Sequence, residues 1–348
     1  MKIGDRKADH IDLAATGDVA FERTTTLFEC VRLVHQALPE LSTRDIDTSV
    51  SLFGKRLRAP LVIASMTGGA PRAQAINREL AALAEARGYG FGLGSQRAMH
   101  VDASSASTYR VRDVAPTALV LGNLGLVQAK QMSNEEIRAL VADVGADALC
   151  VHLNPAMEIV QPGGDRDFTG GVATLRRLTS ELGVPVIAKE TGCGLSLRGA
   201  RQLGDAGVRH VDVSGAGGTS WVAVEMHRAS GEERALGEAF REWGIPTAAS
   251  VAWMARAGFE TVIATGGVAT GLDVAKAIAL GASAAGIARP ILQALTSGGR
   301  AAAEHLLDGV EAELRAAMLL VGASSLAALR SAPRIVVGEL SLWLEAST

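Results

Sequence analysis

Residues 261–290 have the sequence TVIATGGVATGLDVAKAIALGASAAGIARP, which contains a complete strand–helix–strand pattern. Two short apolar runs, Thr261–Thr265 and Ala284–Ala288, each end in small or polar residues. The segment between them has apolar residues at helical spacing. Continuous apolar strands joined by a helix are typical of a parallel sheet that is buried on both faces. The stretch therefore predicts a βαβ unit.

Similar apolar runs recur along the chain, and their starts lie 23 to 51 residues apart. A strand–helix pair needs about 30 residues, so the spacing suits repeated βα units. Eight units within residues 60–299 predict an α/β fold of the (β/α)8 TIM-barrel type. The runs are Leu61–Ala64, Gly90–Gly94, Leu119–Gly122, Ala148–Leu153, Val186–Ala188, His210–Val213, Thr261–Thr265 and Ala284–Ala288.

A doubly wound sheet is the alternative fold. It would more often carry a G-x-G-x-x-G fingerprint after its first strand, and Gly68-Gly69 lack that spacing. We expect a single domain, with residues 1–59 as an N-terminal extension of strands and a helix and residues 300–348 as C-terminal helices.

Composition narrows the class of protein. The 348 residues are 48% hydrophobic. Their net charge of −3 argues against general binding to nucleic acid or to a membrane surface. The three cysteines, Cys30, Cys150 and Cys193, lack metal-ligand spacing and predict free thiols. The polar N-terminus and the absence of a run of ~18 apolar residues predict a soluble, cytoplasmic protein.

Polar and glycine residues gather at the ends of the predicted strands, where a TIM barrel places its active site. The TGG turn at 265–267 and the ARP turn at 288–290 follow the last two strands, where such barrels commonly bind phosphate. SGAGGTSW at 214–221 adds glycines and two hydroxyl groups. As a set, these turns predict a cofactor that carries a phosphate group.

Lys189 ends the fifth strand, and a lysine that emerges from a buried strand is costly unless it meets a partner. It could form a Schiff base, bind phosphate, or stabilise a reduced flavin through the N1–C2=O edge. The alternative is a surface lysine whose stem lies along the protein.

A second group of residues suits a diphosphate. Arg6, Lys7, His10 and Arg97 could grip it, although the first two lie near a terminus where a mobile tail is the alternative. Glu158 is a single carboxylate and suits a Mg²⁺ that also binds water and substrate phosphates; otherwise it is a glutamate at a helix start. His152 either contacts substrate or lies inside the barrel.

Nine motifs occur in one order over nearly the whole chain. They are RKADHI, MTGG, GSQR, GNLG, HLNPAMEIVQPGGDRDF, AKETGCGLS, SGAGGTSW, TGG and ARP. In these motifs and in their order, the chain resembles the type 2 isopentenyl-diphosphate isomerases. The resemblance implies an FMN-containing barrel that forms a homotetramer or homo-octamer. It also implies interconversion of isopentenyl and dimethylallyl diphosphate, with reduced FMN, NADPH as reductant and Mg²⁺.

The resemblance also assigns residues. The catalytic positions would be Lys189, His152 and Met157, and Glu158 would reach Mg²⁺. FMN would lie against Ser65, Met66, Thr67, Ser95, Asn123, Lys189, Ser214 and Thr219, with its phosphate on Gly266, Gly267, Val268, Ala288 and Arg289. The substrate would meet Arg6, Lys7, His10, Ser95, Gln96, Arg97, His152 and Asn154.

Met157 departs from the family, which usually has glutamine before the metal-binding glutamate. A thioether cannot transfer a proton, so the flavin would have to move the protons if the protein is an active isomerase. A polarisable sulfur could tolerate a developing tertiary cation.

Two other functions remain open. One is an FMN-dependent 2-hydroxy-acid oxidoreductase, which shares the barrel but typically has a histidine and an arginine in and beyond the loop after strand six. Here that loop has Ala216 and Thr219-Ser220. The other is a catalytically silent FMN- and diphosphate-binding barrel, which only Met157 supports.

Overall fold

The computed structural model describes residues 3–346, without the side chains of residues 3–6 and 8. The chain begins with helix α1 (Ile3–Thr16) and then forms three short strands before the barrel. These are β1 (Val31–Leu33), β2 (Val50–Leu52) and β3 (Lys55–Leu57).

Strands β2 and β3 form an antiparallel hairpin that covers the N-terminal end of the barrel. Its two-residue turn, Phe53-Gly54, has positive φ at both positions, as a tight hairpin turn requires. Leu52 and Leu57 are buried and pack into one cluster with barrel-interior residues such as Ile187. The hairpin therefore closes the end of the barrel opposite the predicted site.

Eight parallel strands close into the predicted barrel, in which the last strand pairs with the first. Every strand starts at the residue that the sequence predicted, whereas several ends differ; the fifth strand, for example, continues through Lys189 to Glu190. The strands are β4 (Leu61–Ile63), β5 (Gly90–Gly92), β6 (Leu119–Gly125), β7 (Ala148–Leu153), β8 (Val186–Glu190), β9 (His210–Asp212), β10 (Thr261–Ala264) and β11 (Ala284–Ile287).

Helices cover the outside of the barrel, and local sequence sets their ends. Ser133 and Thr270 each form a capping box with an acidic residue three positions later. The helices after α1 are α2 (Pro71–Arg87), α3 (Arg97–Val101), α4 (Leu126–Gln131), α5 (Asn134–Asp143), α6 (Pro155–Glu158), α7 (Gly171–Glu181), α8 (Leu197–Asp205), α9 (Trp221–Arg228), α10 (Gly231–Phe240), α11 (Thr247–Arg256) and α12 (Gly271–Ala279).

The C-terminal part is less uniform than the sequence predicted. Its first helix, α13 (Arg289–Leu320), already begins at the end of the barrel and is kinked at Gly299. After α14 (Leu326–Ser331) comes a strand, β12 (Arg334–Val336), and then α15 (Glu339–Glu345). Strand β12 pairs antiparallel with β1, which lies about 300 residues earlier, so no local pattern reveals the pairing.

Two further expectations concern the whole chain. The three cysteines, all within the described residues, are free as predicted. Within residues 3–346, no helix combines the length and the apolar character that crossing a membrane requires.

Candidate functional site

The C-terminal ends of the barrel strands surround a cavity of about 420 Å³. Helix α1 forms part of its wall through Lys7, His10 and Ile11. Most of the predicted site residues line this cavity, in agreement with the usual position of the active site in a TIM barrel. They are Lys7, His10, Ser65, Met66, Thr67, Ser95, Arg97, Asn123, His152, Asn154, Met157, Glu158, Lys189, Ser214, Thr219, Gly266, Gly267, Val268, Ala288 and Arg289.

Lys189 lies at the floor of the cavity and is buried, with 7% of its surface exposed, so it is not a surface lysine. Its neighbour on strand β9 is Asp212, and the Lys189 Nζ atom lies 3.0 Å from the Asp212 Oδ2 atom. Thr265 at the end of β10 accepts a hydrogen bond of 3.4 Å from Lys189 and donates one to Asp212. The floor therefore carries one buried cation that is held by a carboxylate and a hydroxyl group.

His152 is a neutral imidazole in this site. Burial, together with the nearby cations Lys189, Lys7 and Arg97, lowers the pKa of His152 to about 3. Its Nδ1 atom lies 2.8 Å from the Oδ1 atom of Asn123. Because this oxygen can only accept, Nδ1 carries the proton and Nε2 keeps its lone pair.

The loops after β9 and β10 approach each other so closely that only glycine fits. A Cβ atom on Gly218 would lie 2.3 Å from the Gly267 nitrogen, and one on Gly267 would lie 2.4 Å from Thr26 Cγ2. Gly266 and Gly267 also have φ values of 96° and 74°, which side chains disfavour. Ser214 beside them has φ 36°, a rare conformation for a residue other than glycine that is often found at functional sites.

One wall of the cavity carries basic side chains. Lys7 Nζ lies 2.8 Å from both the Ser95 carbonyl oxygen and the Tyr109 hydroxyl group. His10 Nε2 lies 2.8 Å from a carboxylate oxygen of the fully buried Glu225. Arg97 lines the same cavity at the start of α3. The structure thus brings three of the four predicted diphosphate residues together, whereas the side chain of Arg6 lies outside the described part of the chain.

The predicted substrate contact of Gln96 is not supported. The side chain is 1% exposed and points into the protein, not into the cavity. Its amide donates to the Leu140 carbonyl oxygen at 3.0 Å, and its Oε1 atom accepts from the Asn123 backbone N–H at 3.0 Å. Gln96 therefore holds the loop after β5 to the neighbouring strand and helix.

Glu158 lies at the end of α6, inside the cavity wall. Its carboxylate accepts hydrogen bonds from Asn154 Nδ2 at 2.8 Å, Gln161 Nε2 at 3.2 Å and the Asp165 N–H at 2.8 Å. Met157 precedes it and also faces the cavity, with its sulfur 3.9 Å from Asn154 Nδ2. An apolar side chain thus lies directly beside an oriented carboxylate.

Comparison with known proteins identifies the family. The family model described as FMN-dependent dehydrogenase matches residues 2–156 and 152–335. The isopentenyl-diphosphate delta-isomerase of Methanothermobacter thermautotrophicus is 43% identical over 343 residues, covering 98% of this chain and 96% of that protein. The protein of that name from Halobacterium salinarum is 45% identical, covering 99% and 96%. The chain belongs to the type 2 isopentenyl-diphosphate delta-isomerase family.

The similarity to solved structures supports the fold of this chain but not its function. Mandelate oxidase with 3,3-difluoro-2-hydroxy-3-phenylpropionic acid superimposes with a TM-score of 0.63 at 19% identity, covering 96% of this chain and 98% of that one. The same enzyme with (S)-2-phenylpropionate gives a TM-score of 0.64 at 20% identity, covering 95% and 97%. The type 2 isomerase family therefore shares its barrel with enzymes of a different chemistry.

The cavity fits the FMN that this family of FMN-dependent barrels uses. The close glycine loops form a cradle with no room for a side chain, which suits the approach of a phosphate to backbone N–H groups. The hydroxyl oxygen of Thr67 is buried in the cavity wall and has no hydrogen-bond partner within residues 3–346. A buried hydroxyl without a partner is costly, and a bound polar ring would supply one.

Few side chains of this cavity could bind Mg²⁺ directly. Within the described residues, no group of three or more His, Cys, Asp or Glu side chains is placed to hold a metal ion. A single carboxylate, Glu158, does not make a metal cage, but it fits Mg²⁺ that keeps water and binds substrate phosphates.

Sequence reasoning missed several residues around the site. Asp212 lay within the predicted run His210–Val213, where an acidic residue in an otherwise apolar strand was the available signal. Trp221 lines the cavity and contacts His10 edge-on, with ring centroids 5.3 Å apart. Glu190 is buried and accepts N–H bonds from Thr191 and Gly194, which holds a loop that lines the cavity; burial raises the pKa of Glu190 to about 7.

Proposed function

We propose that the protein interconverts isopentenyl diphosphate and dimethylallyl diphosphate, with reduced FMN and Mg²⁺. The observation that carries this proposal is the composition of the cavity at the C-terminal ends of the barrel strands. A basic wall (Lys7, His10 and Arg97) and one oriented carboxylate (Glu158) face the same space as a buried lysine at the floor. The wall and the carboxylate suit a diphosphate that carries a short apolar tail. The buried lysine suits a flavin.

The glycine cradle and α13 would hold the FMN phosphate. Arg289, at the start of α13, lines the cavity there and also donates to the carbonyl oxygens of Ala14 and Gly17 at 3.0 and 2.7 Å. The isoalloxazine ring would lie above Lys189, against Thr67 and the other predicted side chains. These are Ser65, Met66, Ser95, Asn123, Ser214 and Thr219. When bound and reduced, FMN supplies a ring nitrogen that can give and take a proton next to an alkene.

The substrate diphosphate would be held by Lys7, His10 and Arg97, and Glu158 would hold the Mg²⁺ that offsets the diphosphate charge. These groups would supply charge that attracts the diphosphate and would fix its position. His152 and Asn154 would lie close by, and Arg6 would join them from α1.

The side chains around the tail protect the reaction but do not carry its protons. Isomerisation adds a proton at C4 of the substrate and removes one from C2, with no net change in oxidation state. Met157 has no proton to give. His152, with a pKa of about 3, is not an imidazolium at neutral pH. The apolar side chains of Met66, Met157 and Trp221 exclude water from the developing cation.

An FMN-dependent 2-hydroxy-acid oxidoreductase is the weaker candidate. That chemistry needs a basic histidine and a cation for the substrate carboxylate near the loop after β9. The loop has the buried Ala216 instead, and the low pKa of His152 makes it a poor base.

The remaining features follow the family. We propose NADPH as the reductant, a homotetramer or homo-octamer as the assembly, and the cytoplasm as the location.

An anaerobic assay tests the proposal. Purified protein with FMN and Mg²⁺ is incubated with isopentenyl diphosphate, once with oxidised FMN and once after NADPH or dithionite has reduced it. Dimethylallyl diphosphate is expected only in the reduced sample. No product with reduced FMN bound would overturn the proposal, and FMN reduction by a 2-hydroxy acid would favour the oxidoreductase.

A further inference from the structure

Asp212 lies beneath the cavity and has no part in the proposed binding of FMN or substrate. Its side chain is 6% exposed, and its Oδ2 atom lies 3.0 Å from Lys189 Nζ. Thr265 donates a hydrogen bond to the other oxygen, Oδ1, and also contacts Lys189. Both oxygens of Asp212 are thus held, one by the lysine and one by a neighbour of the lysine.

Both side chains of the pair are largely buried, so water screens their charges only weakly. A buried carboxylate is costly unless it is paired, and Lys189 is the cation that pairs it. Cys150, on strand β7, illustrates the reach of the charge. The pKa of Cys150 is raised to about 12, mainly by burial and also by the negative charge of Asp212, while the positive charge of Lys189 acts in the opposite direction.

We propose that Asp212 is a positioning residue that sets both the place and the effective charge of Lys189 beneath the flavin. With Asp212 present, a bound FMN faces a lysine–aspartate pair of no net charge. Without the carboxylate it would face an uncompensated ammonium. This inference rests on the proposed function, because it requires FMN above Lys189.

The proposal predicts opposite effects for the two partners. FMN gains negative charge when it is reduced, so a nearby cation favours the reduced form and a nearby anion disfavours it. Asp212→Asn removes the anion and keeps an oxygen that can accept from Lys189. Its bound FMN should have a higher midpoint potential than that of the parent protein, and Lys189→Met should give a lower one. A purely structural salt bridge predicts no such difference in sign.

The experiment measures the midpoint potential of bound FMN by dye equilibration at pH 7.5, in the parent and in the two variants. For Asp212→Asn, the ratio of affinities for reduced and oxidised FMN should rise about tenfold, and for Lys189→Met it should fall by a similar factor. Asp147→Asn serves as the matched control. Asp147 pairs with Lys55 and Arg112 and precedes strand β7, at the opposite end of the barrel, so its variant should keep the parent potential.

The double variant Lys189→Met with Asp212→Asn keeps the test valid if Asp212→Asn does not fold. It leaves no unpaired charge in the core, and its potential should be higher than that of Lys189→Met alone. Equal potentials in those two proteins would overturn the proposal. So would a potential in Asp212→Asn that is unchanged or lowered, because a lowered value would mean that Asp212 only holds the lysine in place.

The parent protein separates this inference from the proposed function. If the parent binds FMN and makes dimethylallyl diphosphate while Asp212→Asn fails the test, only the role of Asp212 is wrong. If the parent itself binds no FMN, the proposed function fails first, and the role of Asp212 fails with it.

Discussion

The Nδ1 atom of His152 lies 2.8 Å from the Oδ1 atom of Asn123, and the ring is neutral because its pKa is lowered to about 3. The unfolded chain would have a His152 pKa near ~6.5. Between these two values the unfolded state binds a proton that the folded state does not. The unfolding free energy of the apoprotein should therefore rise with pH through this window and lose this dependence above it.

His152→Asn tests this linkage, because asparagine keeps a donor toward Asn123 and cannot titrate. Between about pH 4 and 6 the unfolding free energy of the parent should rise more steeply than that of the variant, by about 1.4 kcal/mol per pH unit. Urea titrations at several pH values measure both slopes. Equal slopes would show that His152 is not held neutral.

The glycine cradle can be tested at Gly267. Gly267→Ala places a Cβ atom 2.4 Å from Thr26 Cγ2 and 2.7 Å from the Gly217 oxygen, so the loops must move apart. We expect the dissociation constant for FMN to rise at least about tenfold, since a shift of this size costs a phosphate its aligned N–H donors.

Gly258→Ala is the matched control for the cradle. Gly258 also has a positive φ, of 83°, but a Cβ atom there would meet nothing within 4 Å. Its variant carries only the cost of the backbone conformation, about 1 kcal/mol of stability, and should bind FMN as the parent does. Fluorescence titration of FMN compares the three proteins. Equal losses in both variants would attribute the effect to backbone strain.

Glu158 should control the response to Mg²⁺. Glu158→Gln keeps an oxygen that accepts from Asn154 but removes the negative charge, so kcat/KM should fall about 100-fold and Mg²⁺ should activate only at higher concentration. Initial rates over a range of Mg²⁺ concentrations measure both effects. Asp167→Asn removes an exposed acid on the loop after α6 that pairs with Lys130 of α4, and it should leave the response unchanged. An unchanged response in Glu158→Gln would rule out Glu158 as the metal ligand.

Met157 tests whether a side chain must move the proton. If Met157 serves as an apolar wall, Met157→Leu should keep kcat/KM within about threefold and Met157→Gln within about tenfold. A gain of several orders of magnitude in Met157→Gln would instead mean that the parent lacks a group that the reaction needs. Rates of both variants with reduced FMN decide between the two outcomes.

The barrel could be predicted from the sequence because each strand is a continuous apolar run with a clear start. All eight starts agree with the structure, from Leu61 to Ala284. The ends are less clear, because polar residues such as Lys189 and Glu190 continue a strand when both faces of its end are buried. Strand β12 was missed because its partner, β1, lies far away in the chain.

The sequence predicted which residues lie near the site, but not which of their side chains point into the cavity. Polar residues at strand ends located the cavity, yet Ser95, Gln96 and Arg97 are adjacent and only the first and third line it. The backbone geometry of the loop decides this, and sequence spacing does not encode it. The partner of Lys189 was missed for a related reason, since Asp212 comes from a neighbouring strand that only the barrel register brings opposite.

The most direct test of the account follows the reaction itself in deuterated water. Isopentenyl diphosphate is incubated anaerobically with the parent protein, Mg²⁺ and fully reduced FMN, and the mixture is followed by proton NMR. The account predicts dimethylallyl diphosphate that carries deuterium in a methyl group, and no product when FMN stays oxidised. Unchanged isopentenyl diphosphate, with reduced FMN demonstrably bound, would contradict it.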